Sequence, residues 1–140
     1  MKQTGDRPFP GSPEDWLAHA ESDLNIARLV KEREEVLPSQ ICFHAQQAAE
    51  KALKAVLVSR ETEFPRTHVI QALIQLAQQS GLIVPPEVVR AGLLTPYAVV
   101  TRYPGYGREI TARDVDEAVD LAGRVIAWAR EVTAGKGASP

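Results

Sequence analysis

The run Pro38-Ser39-Gln40-Ile41-Cys42-Phe43-His44-Ala45-Gln46-Gln47-Ala48-Ala49-Glu50-Lys51-Ala52-Leu53-Lys54-Ala55-Val56 carries most of what the sequence says about its fold. Ile41, Ala45, Ala48, Ala49, Ala52, Leu53 and Val56 recur three and four residues apart, which places them on one stripe of a helix reaching about Ser59. Pro38 and Ser39 punctuate its start. Four alanines shorten the side-chain layer on that stripe, so a neighbouring helix can approach toward the lower end of the usual separation of about 8–10 Å. This helix is expected at the centre of the molecule. On its other side His44, Gln47, Lys51 and Lys54 fall into one polar strip, with Gln46 and Glu50 beside it.

Upstream, Ser12-Pro13-Glu14-Asp15 supplies an N-cap, a proline at the first helical position and acids in the first turn. Trp16, Leu17, Ala20, Leu24 and Ala27 then continue at helical spacing, predicting a helix from about Pro13 to Glu32. Downstream, Glu63-Phe64-Pro65-Arg66 breaks the pattern and Thr67 can cap a helix from about His68 to Ser80, closed by Gly81. Leu82-Ile83-Val84 has no partner run and is expected to be a loop. A helical pattern resumes at Glu87, is interrupted or kinked by Pro96, and continues through Tyr97 toward Arg102. Thr111-Ala112-Arg113-Asp114 reads as a capping box with Asp in place of Glu, opening a last helix to about Thr133. The Gly- and Pro-rich segment 1–12 and the tail 135–140 are expected to be disordered, leaving 13–134 as a single domain. Short connections point to an all-α, antiparallel up-and-down bundle of four long helices plus a shorter fifth.

Composition narrows the function classes. The 140 residues hold one domain, and 16 basic against 18 acidic side chains leave a net charge of −2, so any basic patch must be local. Cys42 is the only cysteine, which excludes an internal disulfide and a thiolate metal cage and favours a reducing, cytoplasmic location. No apolar run approaches the roughly 18–20 residues that cross a bilayer, so no membrane association is expected. His19, His44 and His68 are too dispersed for a metal site, and no metal or cofactor is expected. Cys42 and His44 diverge by about 200° on a helix and cannot form a nucleophile pair. Phosphate-binding loop, dinucleotide fingerprint and nucleophile elbow are all absent.

Two groups of residues remain as candidates. In the polar strip, Lys51 and Lys54 are suited to phosphate contacts and His44 and Gln47 to a base or ribose. The plainer alternative is a solvated face in which Glu50 and Lys54 pair across one helical turn. The second group lies between Thr95 and Tyr106, where Arg102 can take a phosphate and Tyr103 or Tyr106 can stack on a base. Arg66, His68 and Arg108 would extend it into a local cationic groove. Its structural alternative has Tyr97 and Tyr103 wedged into the bundle and Arg102 paired with an acid.

Taken in order, Cys42 to Ala55, Pro65-Arg66-Thr67-His68 and Tyr97 to Pro104 resemble the HEPN domain family. The resemblance covers about Asp15 to Val132. It implies a helical bundle, usually dimeric and in prokaryotes often paired with a minimal nucleotidyltransferase, in some cases as a toxin–antitoxin module. Many such proteins are metal-independent ribonucleases whose site resembles an Arg and a His with four to six residues between them. Here Arg102 matches the Arg, but Gly107, Arg108 and Glu109 stand where the His belongs; the His is absent, and arginine and glycine supply neither an acid nor a base near neutral pH.

The leading expectation is therefore a noncatalytic HEPN protein, a homodimer, that binds nucleotide or RNA through Arg102, Tyr103, Lys51, Lys54, His44, Gln47, Arg66 and His68 and partners a minimal nucleotidyltransferase. One alternative is a ribonuclease toxin using Arg102 with His68 or His44 brought in from another helix. The other is a self-associating helical scaffold. Phe9, Phe64, Trp128 and the tyrosine segment offer apolar surface for self-association.

Overall fold

A computed structural model describes residues 11–99 and 109–135. Among them every regular element is helical: α1 (Pro13–Val30), α2 (Pro38–Ser59), α3 (Ile70–Gln79), α4 (Pro86–Val89), a 3-10 segment Arg90–Ala98, and α5 (Ala112–Thr133). α2 packs against α1, α5, α3 and the 3-10 segment, and α1 also meets α5. Its alanines are the reason: Ala45, Ala48, Ala49 and Ala52 are fully buried, interleaved with Leu53, Val56 and Leu57.

The capping box expected at Thr111 forms, and the N-cap expected at Ser12 proves to be a second one. Ser12 Oγ accepts from the Asp15 amide at 3.1 Å while Asp15 accepts from the Ser12 amide, and Thr111 and Asp114 repeat the exchange at the start of α5. Three features differ from the sequence expectation. The helix lengths are 18, 22, 10, 4 and 22 residues rather than four long and one short. After four residues of α4 the chain tightens into a nine-residue 3-10 segment containing Pro96, which has no amide to give an α-helical ladder. Trp128, expected as surplus apolar surface, is buried in the core.

A fourth difference bears on function. α3 begins at Ile70, two residues later than expected, because Thr67 Oγ1 takes the Val69 amide and Thr95 Oγ1, from the 3-10 segment, takes the Ile70 amide at 3.1 Å. His68 is thereby left in the connection, outside the helix. That connection opens with a reversal at the end of α2, where the Glu61 amide reaches the Val58 carbonyl and the Thr62 amide the Leu57 carbonyl. Glu61 adopts φ 54° there, a left-handed conformation that is usually filled by glycine where a helix ends this way.

Candidate functional site

The polar side of α2 is a hydrogen-bonded network built on two buried carboxylates. Asp23, from α1, binds His44 Nδ1 through Oδ1 at 2.9 Å and accepts from Lys51 Nζ through Oδ2 at 2.6 Å. Glu50, on α2 itself, binds His68 Nδ1 through Oε1 at 2.9 Å and accepts from Lys54 Nζ through Oε2 at 2.8 Å. Gln46 donates to Glu50 at 3.0 Å and to the His68 carbonyl at 3.2 Å, which fixes both ends of that residue. Gln47 donates to Gln46 Oε1 at 2.7 Å. Its amide also lies 3.5 Å from Glu50 Oε1, so it sits against the Glu50 cluster one helical turn from His44.

Burial sets the electrostatics. The Glu50 side chain is 4% exposed and that of Lys54 10%, whereas the His68 ring is 52% exposed. Burial by itself would raise the Glu50 carboxyl, but hydrogen bonds from Lys54, His68 and Gln46 together outweigh it and hold the group below the ordinary carboxylate value. Lys54 is covered by two rings in edge contact, Trp16 from α1 and Phe64 from the connection, each with its centroid less than 6 Å from Nζ. The Asp23 cluster is more open, with the His44 ring 30% exposed.

The sequence places His44, Lys51 and Lys54 on this strip and His68 in the second group; the structure brings His68 onto the strip and gives all four a defined neighbour. Lys51 and Lys54 are neutralised by carboxylates instead of standing free for phosphate. The expected Glu50–Lys54 pair forms, but on a buried rather than a solvated face. His44 and His68 are each anchored through Nδ1, and no partner engages Nε2 among the described residues. Arg66 is exposed two residues before His68. Tyr97 packs partly buried against the core. Arg102, Tyr103, Tyr106 and Arg108 lie outside the described residues.

Asp23 is the participant that sequence reasoning missed. Its signal was present: an acid among Ala20, Leu24 and Ala27 on the apolar side of α1 must be paired if the stripe is buried. No cluster of His, Cys, Asp and Glu among the described residues could hold a metal ion. No described helix is long and apolar enough to cross a membrane.

Comparison with known proteins gives this arrangement its context. The HEPN domain profile matches residues 13–132. The chain belongs to the HEPN domain family. A crystal structure of an archaeal HEPN homologue superposes with a TM-score of 0.68 at 28% identity, over 88% of this chain and 98% of the other. No curated protein matches the sequence. The HEPN assignment spans α1 to α5, so both carboxylate clusters lie within the shared fold.

Proposed function

We propose that this HEPN protein binds nucleotide or RNA over the polar face of α2 and acts as the homodimeric partner of a minimal nucleotidyltransferase in the cytoplasm. The observation that carries the reading is the pair of half-open histidines held by buried carboxylates. Buried ion pairs cost desolvation and are often no more stabilising than apolar side chains of similar size. A small helical bundle that buries two carboxylates on one face, one in a sealed pair and one in a partly solvated pair, has a reason beyond cohesion. Arg102 and Tyr103, adjacent in sequence, are assigned to the same ligand as phosphate and base contacts. Calorimetry with nucleotides and short RNAs tests the binding, with affinity expected to fall steeply as salt rises. Capture on tagged protein from its own lysate tests the partner: recovery of a nucleotidyltransferase supports the reading. Absence of both results would refute it.

A second reading, a metal-independent ribonuclease, draws support from the same histidines. A ring whose Nδ1 is held by a carboxylate has its tautomer and orientation set for proton transfer at Nε2. Cleavage of a labelled RNA in chelator, lost in Arg102→Ala, would establish it. An intact substrate with both proteins would remove it.

A further inference from the structure

α1 and α5 are tied by an ion pair at each end of their contact. Arg130 pairs with Glu21 at one end, and Lys31 meets Asp116 at 2.9 Å at the other. The seam between these bridges is roughly 15 Å long, the rise of about ten helical residues. Two adjoining cavities of about 230 and 360 Å³ open along it and share Arg28, Gly123 and Ala127. Gly123 makes the space. It stands in the interior of α5, where only proline is less favourable, and no left-handed φ calls for it. A Cβ there would lie 3.0 Å from Arg28 Nη2, so bare backbone is what lets the guanidinium lie across the seam. Buried Leu24, Val119 and Ile126 form an apolar floor. The polar walls are unevenly satisfied. Lys31, Arg124 and Arg130 each have a carboxylate, whereas the side chains of Arg28 and Asn25, neighbours on one face of α1, line the first cavity with no hydrogen bond or ion pair to any described residue. Four cations and three carboxylates line the seam, which leaves a surplus of one positive charge, at Arg28.

We propose that the α1–α5 seam binds a small apolar monocarboxylate, an aromatic or branched aliphatic acid, with its carboxylate on Arg28 and Asn25 and its body on Leu24 and Ile126. The planar guanidinium matches a carboxylate through two parallel hydrogen bonds, and the Asn25 amide is a further donor. A few converging polar groups above an apolar floor are what a small-molecule site requires. Charge selects among anions. The surplus is one positive charge, and Glu21, Asp116 and Asp120 line the same seam, so a dianionic phosphate or a nucleic-acid backbone meets repulsion on either side of Arg28. Shape selects a compact ligand, because the two ion pairs between the helices bound the seam at its ends. Asp23 and Arg28 project about 140° apart on α1, so this site is separate from the polar face of α2 and independent of the nucleotide- or RNA-binding reading.

The experiment is nitrogen–proton NMR of the full chain titrated with sodium benzoate, with acetate, benzyl alcohol and inorganic phosphate as comparisons. Benzoate is expected to bind with a Kd on the order of 1 mM and to move the Gly123 amide and Arg28 Nε signals. It should bind about tenfold more tightly than acetate, which lacks the ring, and than benzyl alcohol, which lacks the charge. Phosphate should bind no better than acetate. Gly123→Ala sets a methyl group against the guanidinium and is expected to fold at least as stably as the wild type while weakening benzoate about tenfold, a combination that a purely structural glycine does not produce. Arg28→Gln is expected to lose about tenfold in affinity. Arg33→Gln, at an exposed arginine just beyond α1 that pairs with Glu35, should leave the affinity unchanged. Absence of benzoate binding, phosphate or acetate binding as tightly as benzoate, shifts confined to residues away from the seam, or equal affinity in Arg28→Gln each overturns the proposal.

Discussion

The two carboxylate clusters are made from the same parts, one acid, one histidine and one lysine, yet they differ in construction. Asp23 reaches α2 from α1 and ties two helices together, while its histidine and lysine stay partly open to water. Glu50 belongs to α2 and gathers its partners inward, so that Lys54 is sealed by aromatic rings and only His68 emerges. Burial strengthens each interaction and also raises the cost of losing a partner. The Glu50 cluster is therefore expected to dominate stability, and the Asp23 cluster to adjust more readily.

That contrast can be broken most directly by deleting the acids. Glu50→Ala leaves the buried Lys54 ammonium without its carboxylate and should cost about 3–5 kcal/mol, whereas Asp23→Ala, whose partners can turn to solvent, should cost about 1–3 kcal/mol. Urea unfolding of the two variants measures both. Equal losses would mean that the burial difference does not govern the energetics.

Acid sharpens the comparison further. Glu50 has its folded pKa held below the value of the unfolded chain, about 4.3 for glutamate, so the unfolded state takes up the proton first. Its contribution is complete above that unfolded value and disappears as the pH falls through the folded one. Stability measured from pH 6 down to pH 3 should therefore fall less steeply in Glu50→Gln than in the wild type. A parallel fall in both would contradict the assignment.

Smaller effects test the supports. Thr95→Ala removes the hydroxyl that accepts the Ile70 amide and should cost about 1 kcal/mol, while loosening the connection that presents His68. Proton exchange at the Ile70 amide would report that loosening. Lys51→Met should change stability by less than about 1 kcal/mol, because the pair it breaks is partly solvated.

How much of this was legible follows from the range of each interaction. The α2 stripe, both capping boxes and the loop at Leu82-Ile83-Val84 depend on residues a few positions apart, and the sequence displays them. Leu82 and Val84 turn inward and Ile83 outward, with no partner strand among the described residues. The start of α3 was not legible, because Thr95 caps it from 25 residues away. The site was visible as a polar strip, but not as a buried one. The Glu50–Lys54 pair was visible one turn apart, but Asp23 reaches Lys51 only once α1 folds against α2, and Lys54 is covered only once Trp16 and Phe64 close over it. Nothing local to Lys51 or Lys54 reports that closure.

The central claim is that buried carboxylates hold His44 and His68 by Nδ1, with Nε2 unengaged among the described residues. Long-range nitrogen–proton NMR of the histidine rings near pH 8 tests it without any ligand present. Neutral His44 and His68 are predicted to carry their proton on Nδ1, with the His68 signature lost in Glu50→Gln and the His44 signature lost in Asp23→Asn. Neutral rings protonated at Nε2, indifferent to those substitutions, would contradict the account.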